Sequence, residues 1–142
     1  MTKITLDQAS TIVDAALATA TQMKLKPMSV AVLDDGGHLV VFKKQDNSSL
    51  LRFDIAYGKA WGALGLGRSS AQIAKLAKDL PEFVAAATAA SGGRIIPVQG
   101  GLLVRDAAGN LLGAVGVSGD SAQNDEACAV AGVKAAGLHA EP

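Results

Sequence analysis

Thiols, imidazoles and aromatic rings are all scarce in this sequence. The single cysteine, Cys128, excludes an intramolecular disulfide framework and any metal site built from several thiolates, and it fits a reducing compartment. Two histidines, His38 and His139, are too few for an all-histidine zinc site within one chain. Aromatic residues make up only 4%, so the core has to be filled by aliphatic side chains and alanine, which lets helices approach closely. An excess of charge of either sign is missing too. Thirteen Lys+Arg balance thirteen Asp+Glu, leaving no basic field to hold phosphates, and nucleic acid is not an expected partner. No apolar run approaches the roughly 18 residues of a membrane span. The opening MTKITLDQAS is polar where a signal peptide needs a continuous apolar stretch. A cytoplasmic protein without a membrane partner is the expectation.

What is present suits one domain over residues 1–142, since 49% hydrophobic content is ample for one continuous core. So much apolar residue at zero net charge also favours self-association, and a homo-oligomer is expected. Thr5 with Gln8 forms a capping-box pattern, and Ala9, Ile12, Val13, Ala16, Leu17, Ala20 and Met23 follow at helical spacing. Ser29 to Leu33 and His38 to Lys44 flank Asp34-Asp35-Gly36-Gly37 and read as a hairpin. Residues 52–64 favour helix although Gly58 and Gly62 interrupt it. Their four-residue spacing bares one helical face, either for a sheet or second helix or for a ligand. Ser69 with Gln72 caps a short helix, and Pro81 suits the first turn of another ending near Ala90. Residues 94–101 read as extended, with Pro97 arguing for an edge or a loop. Leu102 to Arg105 and Leu111 to Val117 form a second hairpin, and a helix begins at Asp125. Hairpins rather than crossovers predict an α+β fold with a mainly antiparallel sheet of about five strands flanked by helices.

The chemistry-bearing motifs are sparse. Gly65-Leu66-Gly67 follows a helix and lacks the third glycine of a dinucleotide fingerprint, and no Gly-Lys-Ser/Thr of a phosphate loop occurs. Cys128 sits in an alanine-rich helical pattern and reads as a buried core thiol. His38 follows the hairpin turn and is the candidate metal ligand; His139, close to the C-terminus, reads as mobile. More informative are the pairs Gly92-Gly93 and Gly100-Gly101 and the run Gly113 to Gly119. Side chains this small suggest bulges or a close backbone approach, and their free N–H groups can receive a carboxylate. The central expectation is that this bare backbone makes room for a guest molecule. Lys59 and Arg94, each by itself readable as a solvated surface cation, could supply positive charge to an acidic ligand.

The hairpin from Ser29 to Leu39, the Lys59-Ala60 pair, the segment GGRIIPVQGG from Gly92 to Gly101, and GAVGVSG from Gly113 to Gly119 followed by Asp125-Glu126-Ala127-Cys128-Ala129 together resemble the GlcG/HbpS-like haem-binding family. They also resemble the C-terminal domain of PduO-type proteins. The resemblance implies a profilin-like or PAS-like sandwich that assembles into dimers or larger oligomers. It further implies a pocket near the paired-glycine segment and the central helix, often at a subunit interface, where some members bind haem. The matched positions are Asp34 and Gly37 in the turn, Lys59 on the helix, Pro97, Gly100 and Gly101 in the extended segment, and Gly119 with Asp125 at the last loop; the last six, joined by Arg94 on the ground of its charge, make the expected ligand-binding set. Some PduO-type relatives hold the iron through a histidine on the first helix, and residues 6–23 contain none. His38, a hydroxyl, Met23, Met28 or water remain as axial ligands. Three readings stay open. The first is a small-molecule binding protein for haem or a related tetrapyrrole with a storage, sensing or metabolic accessory role. The second is an enzyme acting on a small hydroxy- or oxo-acid, with Lys59 and Arg94 as anchors and Asp46 or Asp125 as base. The third is a structural oligomeric module.

Overall fold

A computed structural model of the protein describes residues 3–142. Five strands form one antiparallel sheet in the order β2-β1-β4-β3-β5: β1 Ser29–Asp34, β2 Leu39–Lys44, β3 Gly101–Arg105, β4 Leu111–Ser118 and β5 His139–Glu141. Both long hairpins turn on an aspartate. Asp34 Oδ1 accepts the N–H groups of Gly36 and His38, and Asp106 Oδ1 accepts that of Asn110. Gly37 and Gly109 supply the positive φ that each reversal needs.

Helices cover both faces of the sheet. On one face α1 (Leu6–Gln22) and α5 (Ala122–Ala135) cross, and Ala9, Ile12, Val13, Ala16, Cys128, Ala129 and Val133 pack onto Val30, Val32, Leu102, Val104, Val115 and Val117. The two helices come so close that a Cβ at Gly132 would strike the carbonyl oxygen of Ile12. Thr5 caps α1 with both halves of the capping box formed, as its spacing with Gln8 predicts. On the other face lie α2 (Arg52–Leu66), α3 (Ser70–Asp79) and α4 (Pro81–Ala90). Ser69 caps α3 by accepting the N–H of Gln72, and Pro81 occupies the first turn of α4.

Strands β1 and β4 are sheathed on both sides, which explains why they read as unbroken apolar runs rather than alternating ones. Their α2-facing row is built of small residues. Gly116 pairs with Gly101 on one side and Ala31 on the other, so the three form a shallow trough across the central strands. The backbone of α2 sinks into it: a Cβ at Gly116 would collide with the carbonyl oxygen of Ala56, and one at Gly101 with that of Lys59.

Two expectations are corrected. His139 is not on a loose tail but pairs with Arg105 in β5, and Arg105 Nε donates to Glu141 at 2.7 Å. Three residues are too short for a periodic signal, so only the sheet edge reveals this strand. The last helix starts at Ala122, three residues earlier than its apolar pattern, because Ser121 accepts the N–H of Asn124 and caps it. Because the trough admits no side chain, Gly116→Ala is expected to cost about 2–3 kcal/mol in urea unfolding by forcing α2 off the sheet; wild-type stability would contradict that contact.

Candidate functional site

The predicted site residues separate into two places. Lys59, Gly100, Gly101, Gly119 and Asp125 gather at the end of β4, inside the protein. Lys59 leaves α2, passes the sheet and donates to Val117 O at 2.8 Å and to Asp125 Oδ2 at 3.0 Å. Both side chains are almost fully buried, at 2% and 3% exposure. Burial pulls the Lys59 ammonium below the ordinary lysine range, and the attraction of Asp125 works against that pull. Asp125 Oδ1 accepts the N–H of Asp120, so the pair ties the two helical layers together through the sheet. Next to it, Asp120 caps the loop by accepting from Asn124 and from the backbones of Lys26 and Ser121, contacts that lower its carboxyl to about 2.

This arrangement corrects the reading of the bare backbone as space for a guest. A Cβ on Gly100 would lie 2.8 Å from Val117 O and 2.9 Å from Lys59 Nζ. One on Gly113 would strike Leu33 O, and one on Gly119 would strike Pro27 O. The protein's own backbone occupies these places. Lys59 is correspondingly not a surface cation, and its ammonium is engaged by groups of the same chain.

Arg94 stands apart from that cluster. Gly92 and Gly93, both with positive φ and open space around them, end α4: Gly92 N–H donates to Ala89 O and Gly93 N–H to Thr88 O. This left-handed exit turns the chain back along α2, where Ile96 lies on Gly58 and Ile95 on Gly62. The bare face of α2 thus meets an extended segment, neither sheet nor helix. Pro97 belongs to this segment, in a loop and half-buried. At its start the Arg94 guanidinium stacks on the indole of Trp61, with Cζ 3.9 Å from the ring centroid. Trp61, Leu66, Ala87, Ala90 and Ile95 then wall a cleft of about 270 Å³ with Arg94 at its rim. A second depression of about 170 Å³ opens on the other side of Trp61, against the turn Asp35 to Gly37. Glycines at 37 and 65 leave room for the indole, since a Cβ at either would lie 3.0–3.2 Å from it.

The family model described as haem degrading protein HbpS-like matches residues 4–134. The chain belongs to the HbpS-like family. Among solved structures, protein ORFY of Klebsiella pneumoniae is 27% identical with a TM-score of 0.87, over 96% of this chain and 92% of that one. A doubly substituted HbpS of Streptomyces reticuli is 27% identical with a TM-score of 0.80, over 94% and 87%. PduOC in complex with haem is 20% identical with a TM-score of 0.87, over 99% of each chain, a likeness of fold. No curated protein matches the HbpS-like chain.

The remaining candidates of this HbpS-like chain are dispersed. His38 is exposed and its Nδ1 lies 3.1 Å from Asp34 Oδ1. Among the described residues no three His, Cys, Asp or Glu side chains cluster as a metal site would require. Asp46 lines a separate open depression with Leu25, Pro27, Lys44 and Gln45. Cys128 is buried as expected, and burial raises its thiol to about 11. Sequence reasoning missed Trp61 and the α4 residues Ala87 and Ala90. The available signal was the only tryptophan of the chain standing between Gly58, Gly62 and Gly65.

Removing one partner of the Lys59–Asp125 pair leaves a buried charge alone, so Lys59→Met or Asp125→Leu is expected to lose about 3–5 kcal/mol. The double variant is expected to regain most of that loss in urea unfolding. Additive losses would show that the two groups do not act on each other.

Proposed function

We propose that this chain is a small-molecule receptor for haem or a related tetrapyrrole, and that the cleft beside Trp61 receives the ligand. The observation that carries the reading is an apolar wall with one convergent charged group, in a chain of the HbpS-like family. The complex of PduOC with haem, on the same fold, supports it. A porphyrin offers a wide apolar face and carboxylates at its edge. Trp61, Leu66, Ala87 and Ile95 match the face, and Arg94 matches the edge. Among the described residues, no His, Met, Cys or Tyr side chain lines the cleft. This lining would hold the macrocycle by its apolar face and its carboxylate edge. When bound, haem would supply a redox-active iron; the residues here bind it, orient it and exclude water from its face.

The acid–base enzyme reading loses support. Asp125 is engaged by Lys59, Asp46 lies in another depression, and neither lines the Trp61 cleft. Storage, sensing or an accessory metabolic role in the cytoplasm remains the reading. The lone buried thiol suits a reducing compartment, and no described helix is long and apolar enough to cross a membrane.

Self-association belongs to the same proposal. A cleft of about 270 Å³ is small for a tetrapyrrole, and a second copy of the chain would be needed to enclose one. Exposed apolar residues also collect elsewhere. Phe53 packs edge-on against Phe42 of the edge strand β2, with centroids 4.8 Å apart, beside Leu50 and Leu51, which are 94% and 60% exposed.

Two measurements test the proposal. Haemin titration is expected to give a saturable Soret shift at stoichiometric ratio, lost in Ala90→Trp, which fills the cleft from α4; a spectrum of free haemin, or full binding by that variant, would contradict it. Sedimentation at micromolar concentration is expected to show a dimer or larger species. The double variant Leu50→Glu with Leu51→Glu is expected to be smaller, and a monomeric wild type would remove the oligomer.

A further inference from the structure

We infer that Arg94 is a preformed anion anchor, and that the ligand of the Trp61 cleft carries a carboxylate at the edge of a flat apolar body. This rests on the receptor reading and sharpens it. Arg94 is exposed, yet it is held on three sides. Its face lies on the indole of Trp61, its Nε donates to Ser91 O at 2.6 Å, and its backbone N–H donates to Ser91 Oγ at 3.1 Å. Ser91 is fixed in turn, donating from Oγ to Thr88 O at 2.8 Å. The two terminal nitrogens of the guanidinium make no hydrogen bond within the chain among the described residues. No carboxylate of those residues lies within ion-pair distance of it.

That combination separates Arg94 from an ordinary surface cation. Arg68 is exposed, and its guanidinium makes neither a ring stack nor a hydrogen bond among the described residues. Arg105 is paired with Glu141, and Arg52 donates to Ser118 Oγ at 2.9 Å. Among the four arginines, Arg94 alone presents a tethered fork with its terminal donors unspent at the mouth of an apolar cleft. A planar fork whose conformation is already fixed loses little side-chain freedom on meeting a carboxylate, and it can bind both oxygens at once. The Ser91 hydroxyl in the wall is already engaged by Thr88 O and the Arg94 N–H, so Arg94 is the charged group left to meet ligand polarity. Lysine at this position would keep the charge but neither the stack nor the fork.

The test compares haemin with its dimethyl ester, in which both carboxylates are masked, on the full-length protein. Soret titration gives affinity, and fluorescence of Trp61, the only tryptophan, reports occupancy of the cleft. Wild type is expected to bind haemin about tenfold tighter than the ester or better. Arg94→Gln is expected to bring haemin down to the level of the ester while leaving the ester unchanged, and Arg94→Lys to restore little. Arg94 is exposed, so these variants keep the fold, which circular dichroism verifies. A parallel pair, 2-naphthoate and 2-naphthamide, separates the two proposals. Naphthoate quenching that depends on Arg94 without haemin binding would keep the anchor and remove the tetrapyrrole. Haemin binding indifferent to Arg94 and to esterification would overturn the anchor and keep the receptor. Binding of neither probe would overturn both.

Discussion

The contact on which the rest of this structure depends is backbone against backbone. Helix α2 lies in a trough formed by Gly101, Gly116 and Ala31, close enough that the carbonyl oxygens of Ala56 and Lys59 occupy the places where side chains would begin. An ordinary helix-on-sheet packing interposes a layer of side chains, and here that layer is missing over the central strands. Close packing of this kind tolerates no added volume, and it fixes the height and the angle of α2 together.

From that fixed height follow both polar features of the molecule. Lys59 is low enough to pass the end of β4 and reach Asp125 on α5, which makes the buried pair a direct tie between the two helical layers. Further along the same helix, Gly58 and Gly62 accept Ile96 and Ile95, so the segment after α4 runs against α2 and delivers Arg94 onto Trp61. The cleft is consequently carried by regular structure on two sides and by a glycine-capped exit on the third. A cleft held on rigid elements keeps its geometry.

Much of the architecture is legible in the sequence because local rules agree there. The caps Thr5 and Ser69, Pro81 at a helix start and the aspartate turns at Asp34 and Asp106 all act over three or four residues. Strand β5 escapes because three residues carry no period, and its partner Arg105 is distant along the chain. The site is less legible for a related reason. A glycine that admits a neighbouring backbone and a glycine that admits a ligand look identical in sequence, and at 100, 101, 113, 116 and 119 the neighbour is the chain itself. Lys59 likewise resembles any helical lysine until the trough lowers it into the interior. Arg94, by contrast, stays at the surface, and the stack on Trp61 with the bond to Ser91 O distinguishes it.

Native-state hydrogen exchange tests the seating of α2 most directly. If the helix is set into the sheet by its backbone, the amides from Ala56 to Ala63 open only with the whole molecule. They then exchange with the same free energy as those of β1 and β4. Exchange of these amides through a separate, cheaper opening, while the strands remain protected, would mean that α2 rests on the sheet as a detachable layer, and the account built on its position would fail.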